Sequence, residues 1–92
     1  MQLKPTHKLY KQIQRLPTNI KSKALILLEK INTGESPFKL GGKRLKCSGN
    51  NKHIISTPIG RKYRVLMIKI ENTIQPYWIG THESYNTKIT QL

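Results

Sequence analysis

Residues 62–80 read KYRVLMIKIENTIQPYWIG. Two β-rich runs, Lys62 to Ile70 and Thr73 to Gly80, are separated by Glu71-Asn72, which is the pattern of a tight hairpin. The first run is apolar on both faces at Val65, Leu66, Met67 and Ile68. A strand with no polar face belongs in the middle of a sheet. Pro76 interrupts the second run and has no N–H for a ladder, so a free edge or a bulge is expected there. Just upstream, His53 to Thr57 forms a third β-rich run, set off by Pro58-Ile59-Gly60. Together these make a β-meander of two hairpins.

The N-terminal half has a different period. Pro5 suits the first turn of a helix, and Leu9, Ile13 and Leu16 recur at helical spacing between Lys8, Lys11 and Arg15. Pro17 ends that helix or opens the next, and Thr18 is the expected cap of a second. Ile20, Ala24, Leu27, Leu28 and Ile31 then form one apolar stripe, with Gly34 as its stop. So short a join predicts a helical hairpin. Helices grouped before strands predict an α+β fold, with the N-terminal helical hairpin packed on one face of a small antiparallel β-sheet. The other face is then left for function. The segment from Glu35 to Asn51, with Pro37, Gly41, Gly42 and Gly49, reads as a long functional loop. Gly41-Gly42 lacks the helix and Lys-Ser/Thr of a phosphate-binding loop. Met1 to Lys4 reads as a frayed start or a short strand, and Thr81 to Leu92 as a short helix or a fraying end.

The chain has 92 residues, 36% of them hydrophobic, which predicts one domain over residues 1–92 with a thin core. Seventeen lysines and arginines face four acids, all glutamate, for a net charge of +13. That imbalance points to a polyanion or an acidic protein as partner. A single cysteine, Cys47, excludes an internal disulfide and a cysteine zinc cluster. With four carboxylates and three scattered histidines, no metal site and no cofactor is expected. No apolar run approaches the ~20 residues of a membrane span, so the expected location is the cytoplasm, away from a membrane.

Three residues stand out chemically. Arg64 shares a strand face with Leu66 and Ile68. An arginine among apolar neighbours needs either one of the four glutamates or an anionic ligand. His82 and Tyr85 follow the end of the last strand. Taken alone, His82 is an ordinary surface residue, but a strand end is a rigid mount and the surroundings are basic. RNA cleavage without a metal needs a base for the 2′-hydroxyl, a cation for the crowded phosphate and an acid for the leaving 5′-oxygen. Lysine, arginine and histidine can supply all three.

Lys43-Arg44-Leu45, Gly60-Arg61-Lys62-Tyr63-Arg64-Val65-Leu66 and Trp78-Ile79-Gly80-Thr81-His82-Glu83-Ser84-Tyr85-Asn86 follow the helical hairpin in that order. In this arrangement, over roughly residues 5–88, the chain resembles the RelE/ParE superfamily of toxins from bacterial type II toxin–antitoxin modules. The resemblance implies a compact α+β toxin domain. In the RelE-like branch, the activity it implies is metal-independent cleavage of mRNA on the ribosome. Arg64 matches the central-strand arginine that contacts the scissile phosphate, and His82 matches a catalytic histidine position. Tyr85 lies near a C-terminal aromatic that orients or stacks on substrate. Lys43 lies near a loop position that carries a catalytic glutamate in some members. Positions that are lysine in some members read here as Ile55 and Thr57. Lys43, Arg44, Lys46, His53, Arg61 and Lys62 are the expected RNA-backbone contacts. The implied partners are mRNA, the ribosome and an acidic antitoxin that folds on binding. The alternatives are a ParE-like inhibitor of DNA gyrase without nuclease activity, and a basic RNA- or ribosome-binding module without catalysis.

Overall fold

The computed structural model describes residues 2–45 and 53–90. After a short strand β1 (Gln2–Leu3), the chain forms helix α1 (His7–Gln14) and helix α2 (Thr18–Asn32). A 3-10 turn at Pro37–Leu40 leads into β2 (Lys43–Leu45), then β3 (His53–Ile59), β4 (Tyr63–Ile70), β5 (Thr73–Thr81) and helix α3 (His82–Ile89). The sheet order is β1-β5-β4-β3-β2. Strands β2 to β5 form the antiparallel meander. β1 adds to the edge of β5 in parallel, pairing Leu3 with Ile74.

Helix α1 starts at His7, two residues after Pro5. The Leu9 N–H donates to Thr6 Oγ1 at 3.2 Å, so Thr6 is the cap and Pro5 stands outside the helix. A hydroxyl can satisfy a free N–H of the first turn, and proline cannot. Thr18 is likewise not a cap: Pro17 is extended and Thr18 is already helical. At the far end Gly34 takes φ +109°, and the N–H groups of Gly34 and Glu35 close onto Ile31 and Lys30 carbonyls. Leu9, Ile13, Ala24, Leu27, Leu28 and Ile31 bury against Ile55, Ile59, Val65, Met67, Ile74 and Ile79 of the sheet. Each large aliphatic buried this way contributes about 1.5–3 kcal/mol. Ile79 N–H also donates to Gln12 Oε1 at 3.1 Å, tying α1 to β5.

Pro76 sits at the bulge that its chemistry required. Leu66 pairs with Trp78 but Met67 with Pro76, which leaves Tyr77 as the extra residue. Pro58 does not end β3, which runs on to Ile59. It lies beyond the reach of β2, whose pairing stops at Ser56, so β3 is an edge there and tolerates a proline. The segment expected as loop holds the 3-10 turn and the edge strand β2 instead. Gly41 (φ +92°) turns the chain out of the 3-10 segment, and a Cβ on Gly42 would lie 2.7 Å from the Pro37 carbonyl oxygen. These glycines serve a close turn.

The sheet's other face is not left bare. α3 folds over it, and Ile54, Leu66 and Tyr85 form a second small core with Leu45, Ile68, Tyr77, Trp78 and Ile89 around them. The α3 start is fixed by Thr81, whose Oγ1 accepts from Ser84 N–H at 3.2 Å.

Candidate active site beside α3

β4 alternates between the two layers. Val65 and Met67 enter the helix-side core, whereas Arg64 and Leu66 face α3. Arg64 therefore stands on a central strand, half-buried, beside the second core. Its Nε donates to Ser56 Oγ at 2.7 Å, and its guanidinium carbon lies 5.0 Å from the centre of the Tyr85 ring. Its partners are a hydroxyl and an aromatic face, not one of the glutamates. A guanidinium over a ring gains cation–π attraction. With Nε committed to Ser56, the two terminal nitrogens keep donors for an anion.

The helix start brings His82 to the same place. The His82 and Tyr85 rings stack with centroids 6.0 Å apart and planes 25° from parallel. Residues three apart lie on one helical face, so the Thr81 cap aims both rings toward Arg64's strand. Tyr85 is thus the middle of a line that runs Arg64, Tyr85, His82. His82 is exposed, while Tyr85 is 4% exposed. A ring so covered has no face left for a nucleobase, so the stacking role expected of Tyr85 does not fit. It packs on Leu66 and Ile54 and holds its two neighbours in position.

The basic residues divide between the faces. Lys43 is in register with Ser56, which places it on Arg64's side of the sheet, exposed at the β2 edge. Arg44 is in register with Ile55 and points to the helix side. His53 pairs with Lys69 and by alternation shares the helix side too. Arg61 and Lys62 lie in the β3–β4 turn and line a cleft with His82. Lys46 lies outside the described residues. Ile55 and Thr57, matched above to lysine positions of the superfamily, face the helix-side core at 1% and 0% exposure. Ile54 and Ser56 are the β3 residues that share Arg64's face. The period of two makes an error of one residue an error of face.

Ser56 was missed in the sequence. A small hydroxyl within an apolar strand gives no signal until its register is known. Its burial at 0% and its bond to Arg64 identify it as the residue that orients the guanidinium.

A family model described as a ParE-like toxin domain matches residues 18–87. This chain belongs to the ParE-like toxin domain family. The matched span runs from α2 into α3 and contains Ser56, Arg64, His82 and Tyr85. Solved structures agree on the fold. The toxin domain superposes on a chain of the archaeal RelE–RelB complex from Pyrococcus horikoshii OT3 with TM-score 0.69 and 18% identity, covering 87% of this chain and 92% of that one. It superposes on a chain of the RelB–RelE antitoxin–toxin complex from Methanococcus jannaschii with TM-score 0.70 and 15% identity, covering 91% and 95%. At these identities the likeness is one of fold. No curated protein matches the sequence.

Proposed function

We propose that this toxin domain is the toxin of a toxin–antitoxin module and acts as a ribosome-dependent endoribonuclease on mRNA. The observation that carries this reading is the line Arg64–Tyr85–His82, with Ser56 fixing Arg64 at its other end. In the reaction the 2′-oxygen loses its proton and attacks phosphorus, the P–O5′ bond breaks, and the 5′-oxygen takes a proton. Arg64 stabilises the charge that builds on the phosphate. His82, exposed and mounted on a capped helix start, exchanges a proton with the 2′- or 5′-oxygen. Tyr85 positions both. Guanidinium and imidazole chemistry carries these steps without a metal.

Lys43, Arg61 and Lys62 flank the site and contact RNA phosphates. Arg44 and His53 extend the basic surface toward the ribosome, and Lys46, outside the described residues, is a further candidate RNA contact. The net charge of +13 supports a polyanionic target and an acidic antitoxin. Both relatives of like fold were solved as toxin–antitoxin complexes, which supports an antitoxin partner here. A ribosomal target places the protein in the cytoplasm. No described helix is long and apolar enough to cross a membrane.

The test is brief induction in a bacterial host, followed by primer extension on a translated reporter mRNA, with His82→Ala alongside. The expected result is new cuts within translated codons that the variant loses. The ParE-like description of the matching family favours a second reading, inhibition of DNA gyrase. Growth arrest with trapped DNA breaks and intact mRNA would establish it. Neither arrest nor cuts would leave a basic binding module.

A further inference from the structure

The amide of Gln12 stands where the helical period calls for an apolar side chain. Leu9, Ile13 and Leu16 repeat along one face of α1, and residue 12 completes that face. Leu9 and Ile13 are buried in the helix-side core, and Gln12 is half-buried beside them. Its Oε1 accepts from the Ile79 N–H at 3.1 Å, 67 residues away along the chain. The need for that acceptor follows from the course of the N-terminus along β5. β1 pairs with Thr73 and Ile74. Lys4 N–H then donates to the Ile74 carbonyl at 2.9 Å, and Thr6 N–H to the Pro76 carbonyl at 3.0 Å. Past that point β5 runs beside α1, whose backbone donors and acceptors point along the helix axis and not toward the strand. A strand N–H that faces a helix must find a side chain, and Gln12 supplies it.

The site hangs from the strand end that this bond holds. Gly80 is in register with Arg64, and Thr81 with Tyr63. Thr81 caps α3, and His82 N–H donates to the Lys62 carbonyl at 2.7 Å. β4 and the turn before it thus hold the inner side of residues 80–82. The outer side is held at Ile79, one residue before Gly80. Gly80 has no side chain to wedge the strand in place. The Trp78 indole lies across it, so close that a Cβ there would come within 2.6 Å of the ring. A shift of Ile79 therefore passes through Gly80 to both ends of the line through Tyr85: the strand beside Arg64 and the helix start that carries His82. Leucine at position 12 would suit the core and leave the Ile79 N–H without this acceptor. The amide is explained by the geometry it keeps, not by packing.

We propose that Gln12 is a positioning residue: through Ile79 it sets the place of His82 relative to Arg64. The proposal rests on the nuclease reading for its effect on cleavage, but the hold on His82 can be measured without cleavage. Two variants separate the bond from the packing. Gln12→Leu fills the helical face and removes the acceptor, whereas Gln12→Glu keeps a carboxylate oxygen for the same N–H. Amide hydrogen exchange is followed by NMR in the wild type and both variants, and kcat and KM for mRNA cleavage on programmed ribosomes are measured alongside. Gln12→Leu should speed exchange at Ile79 and His82 by about tenfold or more, while Leu28 and Ile31 of α2 keep their protection. Its kcat should fall about ten- to a hundredfold with KM within about twofold, the mark of a misplaced group and not of lost binding. Gln12→Glu should restore most of both. Exchange that rises evenly at Ile79, His82, Leu28 and Ile31 would mean a role in stability alone and overturns the proposal. Unchanged exchange at His82, or a Gln12→Glu variant as impaired as Gln12→Leu, overturns it too. Faster exchange at His82 in Gln12→Leu, with no cleavage by the wild type, keeps the positioning role and overturns the nuclease reading. Cleavage by the wild type and Gln12→Leu at equal rates keeps the nuclease and overturns the positioning role.

Discussion

The two faces of the sheet are built from the same strands but differ in kind. The face under α1 and α2 is a mainly aliphatic core in which Leu9, Ile31, Met67 and Ile74 are 0% exposed and Thr57 is, among the described residues, its one buried polar residue. The face under α3 is mixed: Leu66 and Ile54 lie among Ser56, Arg64, Trp78 and two tyrosines. The first face can be made of any residues of suitable volume and period. The second holds a buried hydroxyl and a guanidinium in fixed geometry, which costs desolvation and adds little to stability. Its composition makes sense as a site, and the opposite face makes sense as the scaffold that supports it.

Substitutions sharpen that contrast. The largest effect is expected at His82: His82→Ala should reduce mRNA cleavage by ~10²–10⁴-fold while leaving the urea midpoint in place, because the residue is exposed. Leu9→Ala on the other face should do the reverse. It should lower unfolding free energy by about 2–5 kcal/mol in urea denaturation, and the molecules that remain folded should cut normally. Ser56→Ala lies between the two. It strands the Arg64 Nε and should cost about 1–3 kcal/mol by the same titration. Cleavage should fall further than the folded fraction does, and Ser56→Thr should restore part of it. The smallest effect belongs to the β2 edge, where Lys43→Ala should weaken RNA binding modestly and reduce the salt slope of log K by about one, measured by fluorescence anisotropy over a salt series. An equal loss of stability and activity in all four variants would erase the distinction between the faces.

The scaffold was more legible than the site. The helical stripe of Leu9, Ile13, Leu27, Leu28 and Ile31 and the central place of β4, apolar on both faces, were readable from the sequence. Pro76 announced its bulge because a missing N–H leaves few options. Boundaries were harder. Pro5, Thr18 and Pro58 each fit two local roles, and the choice depended on neighbours: the Thr6 hydroxyl, the turn at Pro17 and the short reach of β2. Within the site, Arg64 was visible as a charge among apolar residues. The burial of Tyr85 was not, because α3 is too short and polar to show which side packs. Ser56 and the exclusion of Ile55 and Thr57 from Arg64's face depended on register, which a β-rich run does not specify.

The most direct test of the central claim is single-turnover cleavage of a defined mRNA on programmed ribosomes by the purified chain and by Arg64→Ala, with the product ends identified. The expected result is cutting that leaves a 2′,3′-cyclic phosphate and a 5′-hydroxyl, slowed roughly 10²–10³-fold in the variant with the fold intact by circular dichroism. Cleavage by Arg64→Ala at the wild-type rate, or no cleavage by a folded wild-type chain, would contradict it.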